Sequence, residues 1–550
     1  MPMRKTLEKA LDSHRAGRLA EAEVLYQQVL AEHPEQADAL GLLGVLYSQM
    51  AQHAKARELI RRAIAVNPRV PHHHTNLGAA FVAEGRYEEA IPAYRQAMKL
   101  DPRGIDAHKG LTQALLALGR LDDSIAVLRQ IVTLLPDDVE SWVRLSAALA
   151  AADRLEESIP VLSRIVELQP NRVESLANLG SALQKAGRYD EAINTSRRAI
   201  ALAPGNADAH LNLGAALMQT GEYDEATVAF GQAIALRSDH AQAHGNLGLL
   251  LLLHGNYNEG WREYQWRFKT SGSAPIRSRF TQPHWDGSAL AGRRIVLYAD
   301  QGLGDCIQFL RYVPMVTARG GKVTLAIGPE FKRLAPQSEQ IGEAAPQGPT
   351  AASDVCCPLS SLPLLLGTTL ETIPADIPYL FADGQLTAHW KARLGAGPGL
   401  KVGLVWAGNP RHANDRNRSL PAGSLAPLGS LAGITYVSLQ KGERAAEAAE
   451  LAESLHAVDF SSELNDLADT AALIVNLDLV ISVDTAVAHL AGAMGKPVWV
   501  LLPLCPDWRW MLDRGDSPWY PSMRLFRQRT PGDWLTPIQQ VADALREMAE

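Results

Sequence analysis

The sequence predicts an all-α repeat superhelix followed by a pair of doubly wound α/β lobes. Three observations carry this. Prolines recur every 34 residues, at Pro34, Pro68, Pro102, Pro136, Pro170 and Pro204. Near residue 293 the helical pattern gives way to short apolar runs separated by glycine-containing turns and helices. Several of those runs end in polar motifs of the kind that bind anions at the mouth of a parallel sheet.

The repeat period is kept in other columns. Gly17, Gly85, Gly119, Gly187, Gly221 and Gly255 share one position, with Ala51 and Asp153 as exceptions. Ala22, Ala56, Ala90, Ala192 and Ala226 share another, with Ser124 and Ser158 as small substitutes. Gly44, Gly78, Gly180, Gly214 and Gly248 form a third. A 34-residue period with these small residues is the tetratricopeptide signature: two antiparallel helices per unit, each unit burying its apolar face on its neighbours. Seven helix pairs are expected, then an eighth, divergent one ending in GWREYQWRF at 260–268. Asn76, Asn178, Asn212 and Asn246 fall in one column, two residues before the packed glycine. Two residues are about 200° on a helix, which turns these amides to the groove side. An amide both donates and accepts, so it can grip a peptide backbone without reading sequence; asparagine is also common at this position in such repeats. His72, His73 and His74 are expected at a solvated helix start, because consecutive helical residues fan out and cannot all face one metal ion.

In the second half, RRIVLYA (293–299) and KVTLAIG (322–328) read as buried strands with the helix CIQFLRYVPMVTARG between them. Residues 336–354 read as a loose loop. LKVGLVWAG (400–408), ITYVSLQ (434–440), LDLVISV (477–483) and PVWVLLP (497–503) read as strands of a second lobe, closed by a helix within 533–550. The expected boundaries are 1–268 for the repeats, 269–292 for a linker, 293–395 for an N-terminal Rossmann-like lobe and 396–550 for a C-terminal, donor-binding Rossmann-like lobe. Two such lobes flanking a cleft make a GT-B-like architecture.

Composition excludes several classes. With 550 residues the chain exceeds one hydrophobic core. A net charge of -7 argues against a general nucleic-acid binder. The four cysteines, Cys306, Cys356, Cys357 and Cys505, match neither a zinc site nor a disulfide framework, which suits a reducing compartment. The charged start MPMRKTLEKALDSHRAGR lacks a signal-peptide core, and the longest apolar run, 247–253, is far short of the ~20 residues that span a bilayer. A cytoplasmic protein without a membrane span is expected.

Four motifs follow strands of the α/β region. In Asp300-Gln301-Gly302-Leu303-Gly304-Asp305, two glycines let backbone approach a ligand and a helix start offers free N–H groups. Asp305 is a candidate general base, or an ordinary helix cap. In VWAGNPRHANDRNRSLP (405–421), Asn409, Arg416 and Arg418 lie in a cationic loop that suits diphosphate oxygens, or is simply solvated. Gln440 and Lys441 end a strand and would meet a nucleotide or phosphate; Lys441 reads equally as an exposed cation. In LDLVISVDTAVAHLAGAMGKPVWVLLP (477–503), Asp484 and Thr485 stand at a strand-to-helix turn. Ala486 opens the helix and His489 follows one turn later. This is a ready anion site, with helix capping by Asp484 and packing of His489 as the plain alternative.

The stretches QGLGDCIQFLRY, GLVWAGNP, NDRNRS, SLQKG, DLVISVDTAVAHLAGAMGKPVWVLLP and PDWRWML, with GWREYQWRF before them, resemble bacterial tetratricopeptide proteins whose C-terminal part is similar to the heptosyltransferases. The resemblance implies an inverting, metal-independent GT-B glycosyltransferase that uses a nucleotide sugar as co-substrate and needs no other cofactor. It implies Asp305 as the base and Asp484, Thr485 and His489 around the donor. Ala486 stands where those enzymes have glycine, and Arg418 is the nearest counterpart of their phosphate-binding lysine. The domain order is similar to O-GlcNAc transferases and to repeat-fused flagellin glycosyltransferases, which implies a protein acceptor in the repeat groove and transfer to Ser or Thr. A lipid-linked or polysaccharide acceptor, and a non-catalytic scaffold, are the alternative readings.

Overall fold

In a computed structural model, the structure describes residues 2–270, 279–334, 344–345, 353–397, 399–412 and 414–549. Sixteen helices run from Pro2 to Tyr264, two to each 34-residue unit, followed by a short 3-10 turn over Gln265–Lys269. The glycine columns explain the spacing. A Cβ at Gly78 would come within 2.8 Å of the Tyr94 ring and one at Gly214 within 2.7 Å of the Phe230 ring, so the missing side chain is where the second helix of the unit seats its large residue. The other glycine column closes each first helix at positive φ, for example 74° at Gly85 and 86° at Gly221. Ala51 and Asp153 hold the same left-handed conformation, at φ 58° and 55°, although a side chain disfavours it.

The histidine triplet differs from the solvated start expected of it. His72 is exposed, but His73 and His74 are buried. His73 packs over Gly41 on the first helix of the preceding unit, and His74 Nε2 donates to the Pro68 carbonyl at 2.8 Å. A repeat stacks its neighbour on both faces of the first helix, which sequence periodicity within one unit does not reveal.

By density of packing the chain divides into Met1–Arg188 and Tyr189–Glu550. The second unit therefore contains the last repeat helices together with both lobes, whereas the boundary expected from sequence falls at residue 268. Local contacts explain this. Trp519 Nε1 donates to Tyr257 Oη at 3.0 Å, and Trp261 meets Trp508 edge-on at 5.0 Å. Tyr223 Oη donates to the Leu504 carbonyl, and Ser361 Oγ donates to Gln265 Oε1 at 2.9 Å. Of the linker expected at 269–292, residues 271–278 lie outside the described residues. Its later part belongs to the first lobe: Phe280 stacks on Tyr298 at 4.0 Å, Trp285 and Leu290 are buried, and Trp285 N–H donates to the Cys356 carbonyl.

Among the described residues the first lobe has four parallel strands: β1 (Arg294–Tyr298), β2 (Lys322–Ala326), β3 (Ala344–Ala345) and β4 (Val355–Pro358), in the order β3-β2-β1-β4. β3 falls inside the segment expected to be a loose loop; most of that segment lies outside the described residues. The second lobe has six: β5 (Leu400–Val405), β6 (Ile434–Ser438), β7 (Val458–Asp459), β8 (Leu479–Val483), β9 (Val498–Leu502) and β10 (Met523–Arg527). Their order is β10-β9-β8-β5-β6-β7, all parallel. The chain begins in the middle, winds outward to β7, crosses back over β5 and winds outward again, which is the doubly wound Rossmann plan. β8 and β9 are buried along their whole length, as parallel strands covered on both faces must be. In each lobe the winding direction reverses beside one strand, between β1 and β4 and between β5 and β8. Ligands bind beyond the carboxyl ends at such points. Among the described residues, no helix is long and apolar enough to cross a membrane.

Candidate functional site

The carboxyl ends of β1 and β8 face each other. From β1 the chain turns through residues 300–302 into the helix Leu303–Phe309. From β8 it turns at Asp484 and Thr485 into the helix Ala486–Ala493. The two helices touch through Gly304: a Cβ there would lie 2.7 Å from His489 Cδ2. Gly304 thus serves a close approach between lobes, and His489 is the group approached.

Asp305 sits in the first helical turn, where its Oδ2 accepts the Gly302 N–H at 3.0 Å. The capping role and the site role coincide, because Oδ1 accepts from Arg509 Nη2 across the cleft. Arg509 is buried; its Nη1 stands 2.9 Å from Asp507 Oδ1 and its Nε donates to Gln308 Oε1 at 2.5 Å. Burial opposes its charge, but Asp507, Asp305 and Asp484 outweigh burial and strengthen its hold on the proton. Burial pushes the Asp507 carboxyl up to about 6, with Arg509 pulling against it and the Asp484 and Asp305 carboxylates adding to it. Burial would raise Asp484 as well, but His489, Arg509 and Arg418 prevail and hold it well below the usual carboxylate range. The His489 imidazole is lowered by burial despite Asp484 beside it. Its Nδ1 meets Tyr520 Oη at 2.9 Å and its Nε2 lies 3.7 Å from Asp484 Oδ1. A neutral ring protonated on Nε2 satisfies both neighbours.

Asp484 is not the helix cap. Thr485 holds that position, and its Oγ1 bonds Ser482 Oγ at 2.9 Å instead of capping. The first N–H groups of the helix are therefore not capped by the Thr485 side chain, and Ala486 lines the same cleft. Arg418, in the loop after β5, donates to the Asp484 carbonyl at 3.1 Å and to Asp415 Oδ1 at 3.3 Å. Asn409 also lines the cleft, its Oδ1 accepting the Arg411 N–H at 3.0 Å. Asn417 ties this loop to the repeats through Tyr189 Oη at 2.8 Å and Gln219 Oε1 at 3.0 Å.

Two of the expected ligands, Gln440 and Lys441, line the cleft with their polar groups bonded to backbone, and the third, Arg416, does not line it. Gln440 is buried; its Oε1 accepts from the N–H groups of Trp406 and Ala407, and its Nε2 donates to the carbonyls of Ala407 and Lys441. Its amide is spent on backbone, fixing the bend after β5. Lys441 reaches the cleft edge, yet its Nζ donates to the carbonyls of Ser461 and Leu464. Arg416 is exposed and lies outside the cleft lining. Gly302 and Gly304 line the cleft.

The cleft encloses about 1030 Å³, at the upper end of the range for small-molecule sites. Repeat side chains form one wall, among them Met218, Leu249, Leu253 and Tyr264. Asn212 and Asn246 stand on the same helices as this wall, Ala207–Thr220 and Ala241–Leu253, and both are half-buried. Asn76 is half-buried and Asn178 exposed on first helices of the other compact unit. Asp507 and Arg509 were not singled out from sequence. They sit in PDWRWML after β9, a stretch that carries part of the resemblance but was given no site role.

With β6, β8 and β9 bracketing the Asp484–Thr485 turn, one family model covers that span. Residues 433–502 match glycosyltransferase family 9, the heptosyltransferases. The matched stretch includes Asp484, Thr485, Ala486 and His489 and leaves out Asp305 and Arg509. Residues 14–78, 81–149 and 183–229 match the tetratricopeptide repeat, and residues 214–255 match a second family of such repeats. The chain thus carries matches to tetratricopeptide repeats and, over residues 433–502, to glycosyltransferase family 9. Protein FlbA of Caulobacter vibrioides is 32% identical over 318 residues, 53% of this chain and 52% of its own length. The chain spans about half the length of that relative. Among solved structures, YrrB, described as a TPR protein with an unusual peptide-binding site, is 22% identical, with 34% of this chain and 95% of that one covered and a TM-score of 0.30. MamA protein is 25% identical, with 31% and 94% covered and a TM-score of 0.28.

Proposed function

We propose that the chain transfers a sugar from a nucleotide-sugar donor to Ser or Thr hydroxyls of a protein held by its repeats, with inversion and without a metal ion. The observation that carries this reading is the meeting, in one cleft, of the Asp484–Thr485 helix start, the Asp305 turn and a wall of repeat side chains. The donor phosphates lie against the Thr485 helix start and Arg418, where the helix dipole and guanidinium neutralise them. A carboxylate takes the proton of the acceptor hydroxyl. The oxygen attacks the anomeric carbon as the bond to phosphate breaks, and the electron pair leaves with the nucleotide. A flagellin-like acceptor follows only from likeness of domain order, and a cytoplasmic setting suits nucleotide sugars.

Two carboxylates compete for the role of base. Asp305 is the one the heptosyltransferase resemblance implies. Both carboxylates pair with Arg509; what favours Asp507 is that burial pushes its carboxyl up to about 6, which is matched to proton transfer near neutral pH.

The first experiment is a thermal-shift panel of UDP-, GDP-, ADP- and CMP-sugars on the full chain and on Thr485→Ala. A shift with one nucleotide, lost in the variant, is expected, since a ligand that binds the folded state raises its melting temperature. No shift with any of them would count against a donor site. With the donor known, Asp305→Asn and Asp507→Asn separate the bases: the true base abolishes transfer and leaves the nucleotide shift intact. Transfer to lipid extract but to no protein would replace the acceptor assignment.

A further inference from the structure

We propose that Asp38, His72 and His73 bind one divalent transition-metal ion of the zinc class, joining the second and third repeats at their first helices. This site is separate from the cleft and independent of the catalytic reading. Asp38 stands in the first turn of the helix Ala37–Gln49, and His72 and His73 stand in the first turn of the helix Pro71–Ala83. One ligand atom from each lies within 4.8 Å of the others. His72 Nε2 is 3.5 Å from Asp38 Oδ1. In a tetrahedral site with bonds of about 2.1 Å, ligand atoms stand about 3.4 Å apart. That pair already has the required separation, and a His73 ring nitrogen lies within 4.8 Å of both.

The independent observation is His73 itself. Its side chain is fully buried, at 0% exposure, and neither ring nitrogen has a hydrogen-bond partner among the described residues. Buried polar atoms in native proteins are paired as a rule, so two orphaned nitrogens on one ring call for a partner. His74 next to it shows the ordinary solution, since it donates to the Pro68 carbonyl. The space for His73 is also shaped from the other side: a Cβ at Gly41 would press on its Nδ1 at 3.0 Å. Three consecutive histidines cannot share an ion. Two of them, with a carboxylate brought by the neighbouring helix, can.

Two imidazoles and one carboxylate favour zinc, cobalt, nickel or copper over magnesium and calcium, which prefer oxygen alone. Three protein ligands leave a fourth position for water. Both helix starts direct positive dipole ends at the site, which weakens cation binding and predicts a modest affinity.

The test uses tag-free, chelator-treated full chain titrated with Co²⁺, read by the visible absorption of the bound ion and by equilibrium dialysis, then displaced with Zn²⁺. One Co²⁺ per chain, displaced by Zn²⁺, is expected. Asp38 and His72 are exposed, so Asp38→Asn and His72→Ala should keep the wild-type circular dichroism while each weakens binding at least about tenfold. Absence of saturable uptake at one ion per chain would overturn the proposal. So would binding that both variants leave unchanged, because it would place the ion on other histidines.

Discussion

Arg509→Met removes the charge at the centre of the cleft and keeps most of the apolar volume beside Trp508, whose ring the guanidinium approaches at 4.8 Å. Three partners lose their donor: Asp305, Asp507 at 2.9 Å and Gln308 at 2.5 Å. Breaking a buried ion pair from one side costs about 3–5 kcal/mol, because the remaining charge is left uncompensated. The cost must depend on pH, and the sign follows from Asp507. Its carboxyl sits at about 6 in the folded protein against 3.8 for the unperturbed group. The folded state therefore binds this proton more tightly than the unfolded state, and the stabilisation it gives is lost as pH rises through about 6. Without Arg509 the folded value climbs further. Destabilisation by the substitution is thus largest near pH 8 and smaller near pH 5, where Asp507 is neutral. Urea unfolding followed by tryptophan fluorescence reads this directly, since Trp508 and Trp510 flank the substituted position. Adding Asp507→Asn to Arg509→Met should recover part of the loss at pH 8, giving a coupling of about 1 kcal/mol or more. A loss below about 1 kcal/mol, or one equal at both pH values, would refute the reasoning.

Gly304→Ala places a methyl 2.7 Å from His489 Cδ2, between rings held by Trp510 and Tyr520, and is expected to cost about 1–3 kcal/mol in the same urea assay. Arg333→Ala breaks the bonds to Asp466 at 2.6 and 2.7 Å and to Asp469 at 2.6 Å that join the two lobes. Arg333 is 44% exposed, so the loss should stay below about 1 kcal/mol and shrink in high salt when melting temperatures are compared. Ala51→Gly relieves a left-handed residue at φ 58° and should raise the melting temperature, by up to about 1 kcal/mol of stability, although alanine-to-glycine changes in helical proteins ordinarily lower it.

Much of the fold was legible because it is written in period and contrast. A 34-residue step with glycine at a fixed column can hardly mean anything but stacked helix pairs, and even Ala51 and Asp153, which break the column, keep its backbone conformation. Six strands were legible as apolar runs. β3, β4, β7 and β10 were not: β3 and β7 have two residues each, β4 is the short run VCCP, and β10 alternates charge with apolar side chains as an edge strand does. At the site, Asp484, Thr485 and Asp305 stood out because strand-to-helix turns have their own chemistry. Gln440 shows the limit. An amide after a strand reads the same whether it faces a ligand or bonds backbone; here it lines the cleft while its own hydrogen bonds go to backbone. Arg509's position at the site was not legible for the opposite reason: its partners Asp305 and Gln308 lie some 200 residues away in sequence.

The division at Arg188 gives the chain two different relations to insertion and deletion. Upstream, the units keep one 34-residue period, so slipped recombination in the coding sequence removes or duplicates whole units in register. From Tyr189 onward the units are individually keyed, by Asn417 on Tyr189, Leu504 on Tyr223 and Trp519 on Tyr257. A duplication there would present the lobes with the wrong key. Lineages of this architecture should therefore differ in length by multiples of one unit at the amino-terminal side, while the three units nearest the cleft stay fixed in number. The reach of the array can be tuned without re-evolving the chemistry at its end.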